Sequence, residues 1–510
     1  VTAAPLRNIA DILQQQARLQ PQAPAAACDG NVVSYAALQE TVCRACAWIK
    51  NQGIVAGDVV IVALADPLLH LAAVLASARM GVAHLALTQA DGARRCAALA
   101  KRVGAIAVLA DFPEAQAYGL PVLTPGRAWL DPESPREADD MPAPHSPQRP
   151  LFFKTSSGTT GEPKLFCLTH KAYAERLGRD FRFALPASGE YLYTPVSLAF
   201  LSATSWALYS LQNGGGILLA SAPTPLSAVV DWIDKHPVRN VVMGPVHTSP
   251  LLDMFASSAG RFPGLRSFAL GTTMVGERLR ADVMHRLTPN LYVMYGTNEA
   301  GIVAVAGPEQ LRGDPRTVGT PVTGASIEIV DEKDRPLPPG ETGVIRMRAP
   351  GMITSYVGDE RASAKAFRDG WYFPGDVGAL SPSGALAILG RTDDMMIFNG
   401  INIYPGAIEA ALERHPDVAE AAAFGLASAR HGQIPAAAVV LKARTDMHAL
   451  LRHCREWLGA TGPKFLMQLP YLPRNAAGKV LKRELADLAK RRRAARLATG
   501  DAAGSERRPR

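Results

Sequence analysis

Apolar positions recur with two different periods along the first third of the chain. Helical spacing runs over Ile9–Gln20, Tyr35–Asn51 and Leu68–Met80, and short β-rich runs fall at Val59–Leu64 and Ala105–Leu109. Helices alternating with strands predict a mostly parallel sheet flanked by helices. The alternation pauses in a Pro-, Asp- and Glu-rich loop at Asp131–Pro150, then resumes with strand-like Gly216–Ala220, Val238–Met243, Ser267–Leu270 and Asn290–Met294. From about Thr317 it gives way to short strands and turns, Ser326–Val330, Pro336–Gly340 and Gly343–Ala349, which predict a subdomain of β-barrel type. The strand-like run Ala385–Leu389 then ends in the polar stretch Gly390-Arg391-Thr392-Asp393. Beyond it lie a helix at Pro405–His415, a strand at Ala437–Leu441 and a helix at His448–Leu458. That is about 100 residues, enough for a small α+β domain on a hinge.

A chain of 510 residues exceeds one ordinary core, and 48% hydrophobic with 20% charged residues fits a soluble, multi-lobed protein. The net charge of +8 belongs mainly to Lys490–Arg510, where eight basic residues face only Asp501 and Glu506. That tail reads as a frayed helix end followed by a solvated, disordered terminus rather than a nucleic-acid surface. The apolar stretch Val59–Leu87 is broken by Asp66-Pro67, His70 and Arg79, so no integral membrane span is expected; the first sixteen residues hold no signal core. Six cysteines without a paired framework suit a reducing cytoplasm. Cys43-x-x-Cys46 falls inside a helical pattern and reads as ordinary core or surface cysteine rather than a metal site.

The most informative segment is Lys154-Thr-Ser-Ser-Gly-Thr-Thr-Gly-Glu-Pro-Lys164, directly after apolar Leu151-Phe152-Phe153. Ser156, Ser157, Thr159 and Thr160 offer four hydroxyls, Gly158 and Gly161 let backbone amides turn toward an anion, and Lys164 adds a charge. These are the parts of a phosphate cradle. The spacing is not G-x-x-x-x-G-K-[ST], which disfavours a Walker-type nucleotide fold.

This string resembles the phosphate loop [ST]-S-G-T-T-G-x-P-K of the adenylate-forming superfamily: acyl-CoA and aryl-CoA synthetases, peptide-synthetase adenylation domains and luciferases. Further segments resemble that family in the same order. They are Tyr295-Gly-Thr-Asn-Glu-Ala-Gly301, Gly370-Trp-Tyr-Phe-Pro-Gly-Asp376, Gly390-Arg391-Thr-Asp-Asp394, Asn399-Gly-Ile-Asn-Ile-Tyr-Pro405 and Pro473-Arg-Asn-Ala-Ala-Gly-Lys479. The likeness runs over roughly residues 8–486 and implies an α/β fold. Its large N-terminal domain (1–391) would hold two mixed α/β sheet subdomains and a small β-barrel-like subdomain. A small mobile α+β lid (392–490) and a basic tail (491–510) would follow.

It also implies the chemistry: a carboxylate attacks the α-phosphorus of ATP, pyrophosphate leaves, and the acyl group then passes to a thiol. By resemblance Glu299 holds magnesium, a hard cation suited to oxygen ligands, and Tyr295 stacks on adenine above Gly271-Thr272-Thr273. Gly296, Thr297 and Asn298 complete the nucleotide motif. Asp376 accepts from the ribose hydroxyls, Arg391 reaches ribose or phosphate, and Lys479 serves the adenylation step with Thr159 and Lys164. Asp393 is the implied hinge, and Gly400 beside Asn399 the implied lining of a thiol channel. Two positions depart from the family pattern. Asn298 stands for a threonine, and Pro374 for a threonine before Gly375-Asp376.

Counting back from Gly214 puts Leu201 where enzymes activating α-amino acids carry an aspartate, so a substrate ammonium would be buried unpaired at several kcal/mol. Leu198, Phe200, Leu201, Leu270, Met294, Gly301 and Ile302 suggest a compact apolar pocket. Gly271-Thr-Thr-Met274 is similar to the G-A-T-M of 4-chlorobenzoate-CoA ligases. An aromatic or short-to-medium apolar acid is therefore expected. Coenzyme A is the simpler thiol; the phosphopantetheine of a separate carrier protein is the alternative, with the basic tail as a docking surface. A non-catalytic nucleotide-binding homologue is a third reading, opposed by the presence together of Glu299, Asp376, Arg391 and Lys479. A monomer or homodimer is expected.

Overall fold

A computed structural model describes residues 8–498 apart from 137–145, 157–163, 180, 222–223, 256–258, 272, 400, 429–430 and 475–477. Its first sheet has six strands in the order Val122–Leu123, Ala107–Ala110, Val59–Ala63, Ala83–Ala86, Pro150–Ser156, Lys164–Thr169. All neighbours are parallel except the final hairpin, which brackets the phosphate loop. Unbroken apolar runs such as Val59-Val-Ile-Val-Ala63 are what a sheet covered on both faces requires.

The helix Pro67–Met80 has no polar stripe and is accordingly buried from Leu69 to Met80. Asp66 caps it by accepting from the amides of Leu68 and Leu69, Pro67 opens its first turn, and left-handed Gly81 closes it. It lies in the apolar core shared by the first two sheets.

The second sheet counts fifteen strands among the described residues. Its parallel part runs Leu291–Thr297, Ser267–Leu270, Val238–Met243, Tyr191–Tyr193, Gly216–Leu219, Pro24–Cys28. On the other side of Leu291–Thr297 it continues antiparallel through Gly301–Ala306, Thr317–Pro321, Leu386–Arg391, Asp376–Leu380 and Gly343–Arg348. The short strands expected to form the barrel-like unit are thus joined edge-on to the long sheet. One strand is longer than its pattern suggested: Leu386–Arg391 includes the polar Gly390-Arg391, because Arg391 pairs in register with Asp376.

The chain leaves this sheet at Arg391, makes a 3₁₀ turn at Thr392–Asp394, and enters a third sheet at Met396. There Val418–Ser428 and Gly432–Leu441 form a long antiparallel pair, and Met396–Phe398 and Phe465–Gln468 both pair along the other edge of Gly432–Leu441. Alternation sends Ala423, Ala437 and Val439 toward Ile408, Leu412 and Leu450 on one face, and Ala422, Phe424, Ala436 and Ala438 toward Leu485 and Ala489 on the other. The helix Lys482–Ala498 continues through Ala498, about two turns into the basic segment. Cys43 and Cys46 are buried in the helix Tyr35–Asn51, and no described group of His, Cys, Asp or Glu has the makings of a metal cluster. No helix of the described residues is long and apolar enough to cross a membrane.

Candidate active site

The implied nucleotide residues sit where parallel sheets place ligands, at the carboxyl ends of strands. Tyr295, Gly296 and Thr297 end Leu291–Thr297, and Gly271 and Thr273 follow Ser267–Leu270. The chain turns back at Asn298–Ala300 into Gly301–Ala306. Gly296 has to be glycine: a Cβ there would collide with the Gly301 carbonyl. The Thr297 hydroxyl accepts from the Ala300 amide at 3.1 Å and tightens the turn that presents Glu299.

Three of the implied residues meet at one carboxylate. The Tyr295 hydroxyl donates to Asp376 Oδ2 at 2.6 Å, and Arg391 Nη1 donates to Asp376 Oδ1 at 2.9 Å. Arg391 Nη2 donates to the Pro374 carbonyl at 2.9 Å, so the proline that lacks an amide still contributes its acceptor. Burial, then the Asp376 charge, hold the Tyr295 phenol well above its ordinary range, so it remains a neutral donor. Each carboxylate oxygen keeps further lone pairs with which to accept.

Lys479 comes from the far end of the third sheet's domain into the same neighbourhood. Its ammonium is pushed below its ordinary value, first by burial and then by Arg391, while Asp394 and Asp376 act the other way. Lys479 thus lies within electrostatic reach of Arg391, Asp394 and Asp376. Asp393, in the turn Thr392–Asp394, stands between the two sheets that this arrangement joins.

Glu299 is 4% exposed, and its Oε1 accepts from the Tyr356 hydroxyl at 3.0 Å. The Lys164 ammonium lies 5.0 Å from the centre of the Tyr356 ring, which connects the end of the phosphate loop to the Glu299 turn. Asn298 Nδ2 donates to the Thr155 carbonyl at 3.3 Å, a second tie between these segments. Ser156 is buried at the end of Pro150–Ser156. A lone carboxylate suits magnesium, which keeps waters and takes most of its protein anchoring from one or two acids plus substrate phosphates.

Leu198, Leu201 and Leu270 belong to one apolar cluster against which Met294 and Ile302 pack. Phe200 precedes the helix Leu201–Gln212, and Gly301 starts its strand with φ +71°. Leu270 is wholly buried. Ser157, Gly158, Thr159, Thr160, Gly161, Thr272 and Gly400 lie outside the described residues.

Sequence reading missed Tyr356 as the partner of Glu299 and missed Lys154. The latter is buried, donates to the Ala199 carbonyl at 2.9 Å, and has its pKa pushed down to about 7 by burial. A lysine inside the apolar run before a phosphate loop was the available signal.

Fold and site are those of a nucleotide-handling α/β enzyme with a second, smaller domain. The chain belongs to the AMP-binding enzyme family: residues 13–357 match the AMP-binding enzyme model and residues 407–479 that of the AMP-binding enzyme C-terminal domain. Its relatives include the indoleacetate–CoA ligase of Aromatoleum aromaticum, 28% identical over 72% of this chain and 74% of that protein. The 2-succinylbenzoate–CoA ligase of Geobacillus kaustophilus is 33% identical over 65% and 67%. The o-succinylbenzoate CoA synthetase of Bacillus subtilis, solved with its acyl-adenylate intermediate, shares the fold with a TM-score of 0.81 and 24% identity, over 93% of this chain and 97% of that one. ATP-bound MatB of Rhodopseudomonas palustris does so with 0.83 and 22%, over 94% and 99%.

Proposed function

We propose that this chain is an acid–thiol ligase that converts a carboxylic acid to its acyl-adenylate and passes the acyl group to coenzyme A. The observation that carries the reading is the Asp376 carboxylate of the large domain, held by the Tyr295 hydroxyl and the Arg391 guanidinium, with the ammonium of Lys479 from the small domain within electrostatic reach of Asp376 and Arg391. Two anions must approach for a carboxylate oxygen to bond the α-phosphorus while the bond to pyrophosphate breaks, so fixed cations and donors have to offset their repulsion.

Asp376 accepts from the ribose hydroxyls, with Tyr295 and Arg391 fixing its orientation and Tyr295 offering its ring to adenine. Thr159 and Lys164 hold the phosphates, and Lys479 faces the oxygen that bridges to the α-phosphorus. Glu299 is the residue that would hold magnesium, which when bound neutralises phosphate charge. In the second step a thiolate attacks the acyl carbonyl, AMP leaves with the bonding pair, and the thiol proton passes to solvent. The apolar Leu198, Leu201, Met294 and Ile302, all part of or packed on the large domain's core, favour an aryl or medium-chain acid over an α-amino acid, whose ammonium would need a partner that these side chains do not supply.

Pyrophosphate exchange over a panel of acids tests the first step, and offering coenzyme A or carrier proteins to the formed adenylate tests the second. Exchange with aryl or medium-chain acids and release of AMP with coenzyme A are expected. Absence of exchange with every acid, or a preferred α-amino acid, would refute the reading at the corresponding point.

A further inference from the structure

Two arginines that no motif includes are built into the back of the Glu299 turn. Arg176 ends the helix His170–Leu177 and Arg179 follows it; both are about 95% buried. Arg176 donates through Nε to the Gly351 carbonyl at 2.8 Å, through Nη1 to Asn298 at 3.0 Å, and through Nη2 to Glu299 at 2.6 Å. Arg179 donates through Nη1 to the Ile302 carbonyl at 2.6 Å and through Nη2 to those of Ala300, at 2.8 Å, and Pro350. Three of these acceptors lie in the turn that carries Glu299, and Ile302 lies in the strand that leaves it. The other two lie in the loop leading to Tyr356, whose hydroxyl meets the Glu299 carboxylate.

The same helix is fixed to this loop a second time, because Glu175 accepts from the Gly351 amide at 2.8 Å. Its end is held by the Tyr209 hydroxyl, which donates to the Arg176 carbonyl at 2.5 Å. Gly301 adopts φ +71°, and a Cβ on it would come within 2.9 Å of Arg179 Nη1, so the turn is closed onto the guanidinium.

Burying two cations is costly, and six carbonyls would be satisfied more cheaply by secondary structure or water. What the guanidinium supplies in return is a planar fork that fixes several acceptors in mutual orientation, which a lysine's single ammonium does not. Here the fork joins the backbone of an acid to the loop bearing that acid's hydroxyl partner. We propose that Arg176 and Arg179 are positioning residues that set the direction of the Glu299 carboxylate toward magnesium-bound ATP phosphates. The inference rests on the nucleotide-binding part of the functional reading and needs no knowledge of the acid.

ATP binding measured by calorimetry at stepped magnesium concentrations, without acid, tests it. Wild type should bind ATP in a magnesium-dependent way, and Tyr356→Phe, which removes the hydroxyl from Glu299, serves as the reference for a misdirected carboxylate. Arg176→Lys should fold, with a cooperative melt. It should need about tenfold more magnesium for half-maximal binding, the equivalent of one lost charge-assisted hydrogen bond, while affinity at saturating magnesium changes much less. Arg179→Lys should shift in the same direction and supplies the reading if Arg176→Lys does not fold. A lowered melting temperature with unchanged magnesium dependence in both variants would assign the arginines to fold stability alone and overturn the proposal. A wild-type chain that binds no magnesium–ATP would instead overturn the functional reading, and this inference with it.

Discussion

The contact between the two domains contains a carboxyl group that should make stability depend on pH. Glu413 ends the helix Pro405–Glu413, and its carboxylate lies directly over Gly276 of the large domain, where a Cβ would meet Oε2 inside van der Waals contact. Burial, and then the charges of Glu409, Glu420 and Glu277, raise its carboxyl from 4.5 to about 8, with Arg278 opposing. The remaining cations are engaged elsewhere: Lys482 with Glu409, Arg474 with Glu420, and Arg414 with Glu277. Arg278 itself donates to the Pro416 and Val418 carbonyls.

A raised folded pKa means that the folded, docked chain binds the proton more tightly. The contribution is therefore fully present below pH 4.5 and is lost as pH rises toward 8. At about 1.4 kcal/mol per pH unit, the loss reaches on the order of 3 kcal/mol by pH 7. Glu413→Gln, equal in shape and permanently neutral, removes the slope. Thermal unfolding from pH 4.5 to 9 should show the two proteins alike at the acid end, with the variant the more stable by several degrees at pH 8. A difference that does not change with pH, or a variant less stable throughout, would show that Glu413 is not the titrating group.

Lys479→Ala should abolish pyrophosphate exchange yet leave thioester formation from supplied acyl-adenylate largely intact; near-normal exchange would remove Lys479 from the first step. Tyr295→Phe takes one charge-assisted hydrogen bond from Asp376 and should raise the KM for ATP about tenfold, with the KM for the acid unchanged. Asp376→Asn should cost more, since it removes the charge that Arg391 pairs with and that offsets the Arg391 and Lys479 cations. Asp393→Pro fixes φ in the turn between the sheets and should trap one domain arrangement. Adenylation should survive and thioester formation should fall by orders of magnitude in single-turnover assays. Equal loss of both steps with a lowered melting temperature would make Asp393 an ordinary linker residue.

What could be read from the sequence follows from where each signal is stored. Val238–Met243, Ser267–Leu270 and Ser326–Val330 were legible to the residue because β-branched and aromatic side chains or strict alternation define them locally. The strand Val418–Ser428 was not, and Gly432–Leu441 only in part. Half of their buried positions are alanine, a poor strand former, and the helices packed on both faces make those alanines core. Glu299, Asp376 and Lys479 were proposed from short local strings that resemble the family's motifs. The groups that aim them were not, because Tyr356 lies 57 residues from Glu299 and Arg176 lies 123 away. In sequence Arg176 and Arg179 look like two solvated charges at the end of a short helix. They become supports because that helix is packed into the large domain, where their buried guanidinium groups donate to backbone carbonyls of the Glu299 turn and of Pro350-Gly351. Candidate reacting groups are proposed from type and spacing, whereas the groups that contact them are fixed by packing between segments distant in the chain. The orientation of Glu299 therefore depends on both levels: the motif supplies the carboxylate, and the tertiary fold supplies its direction.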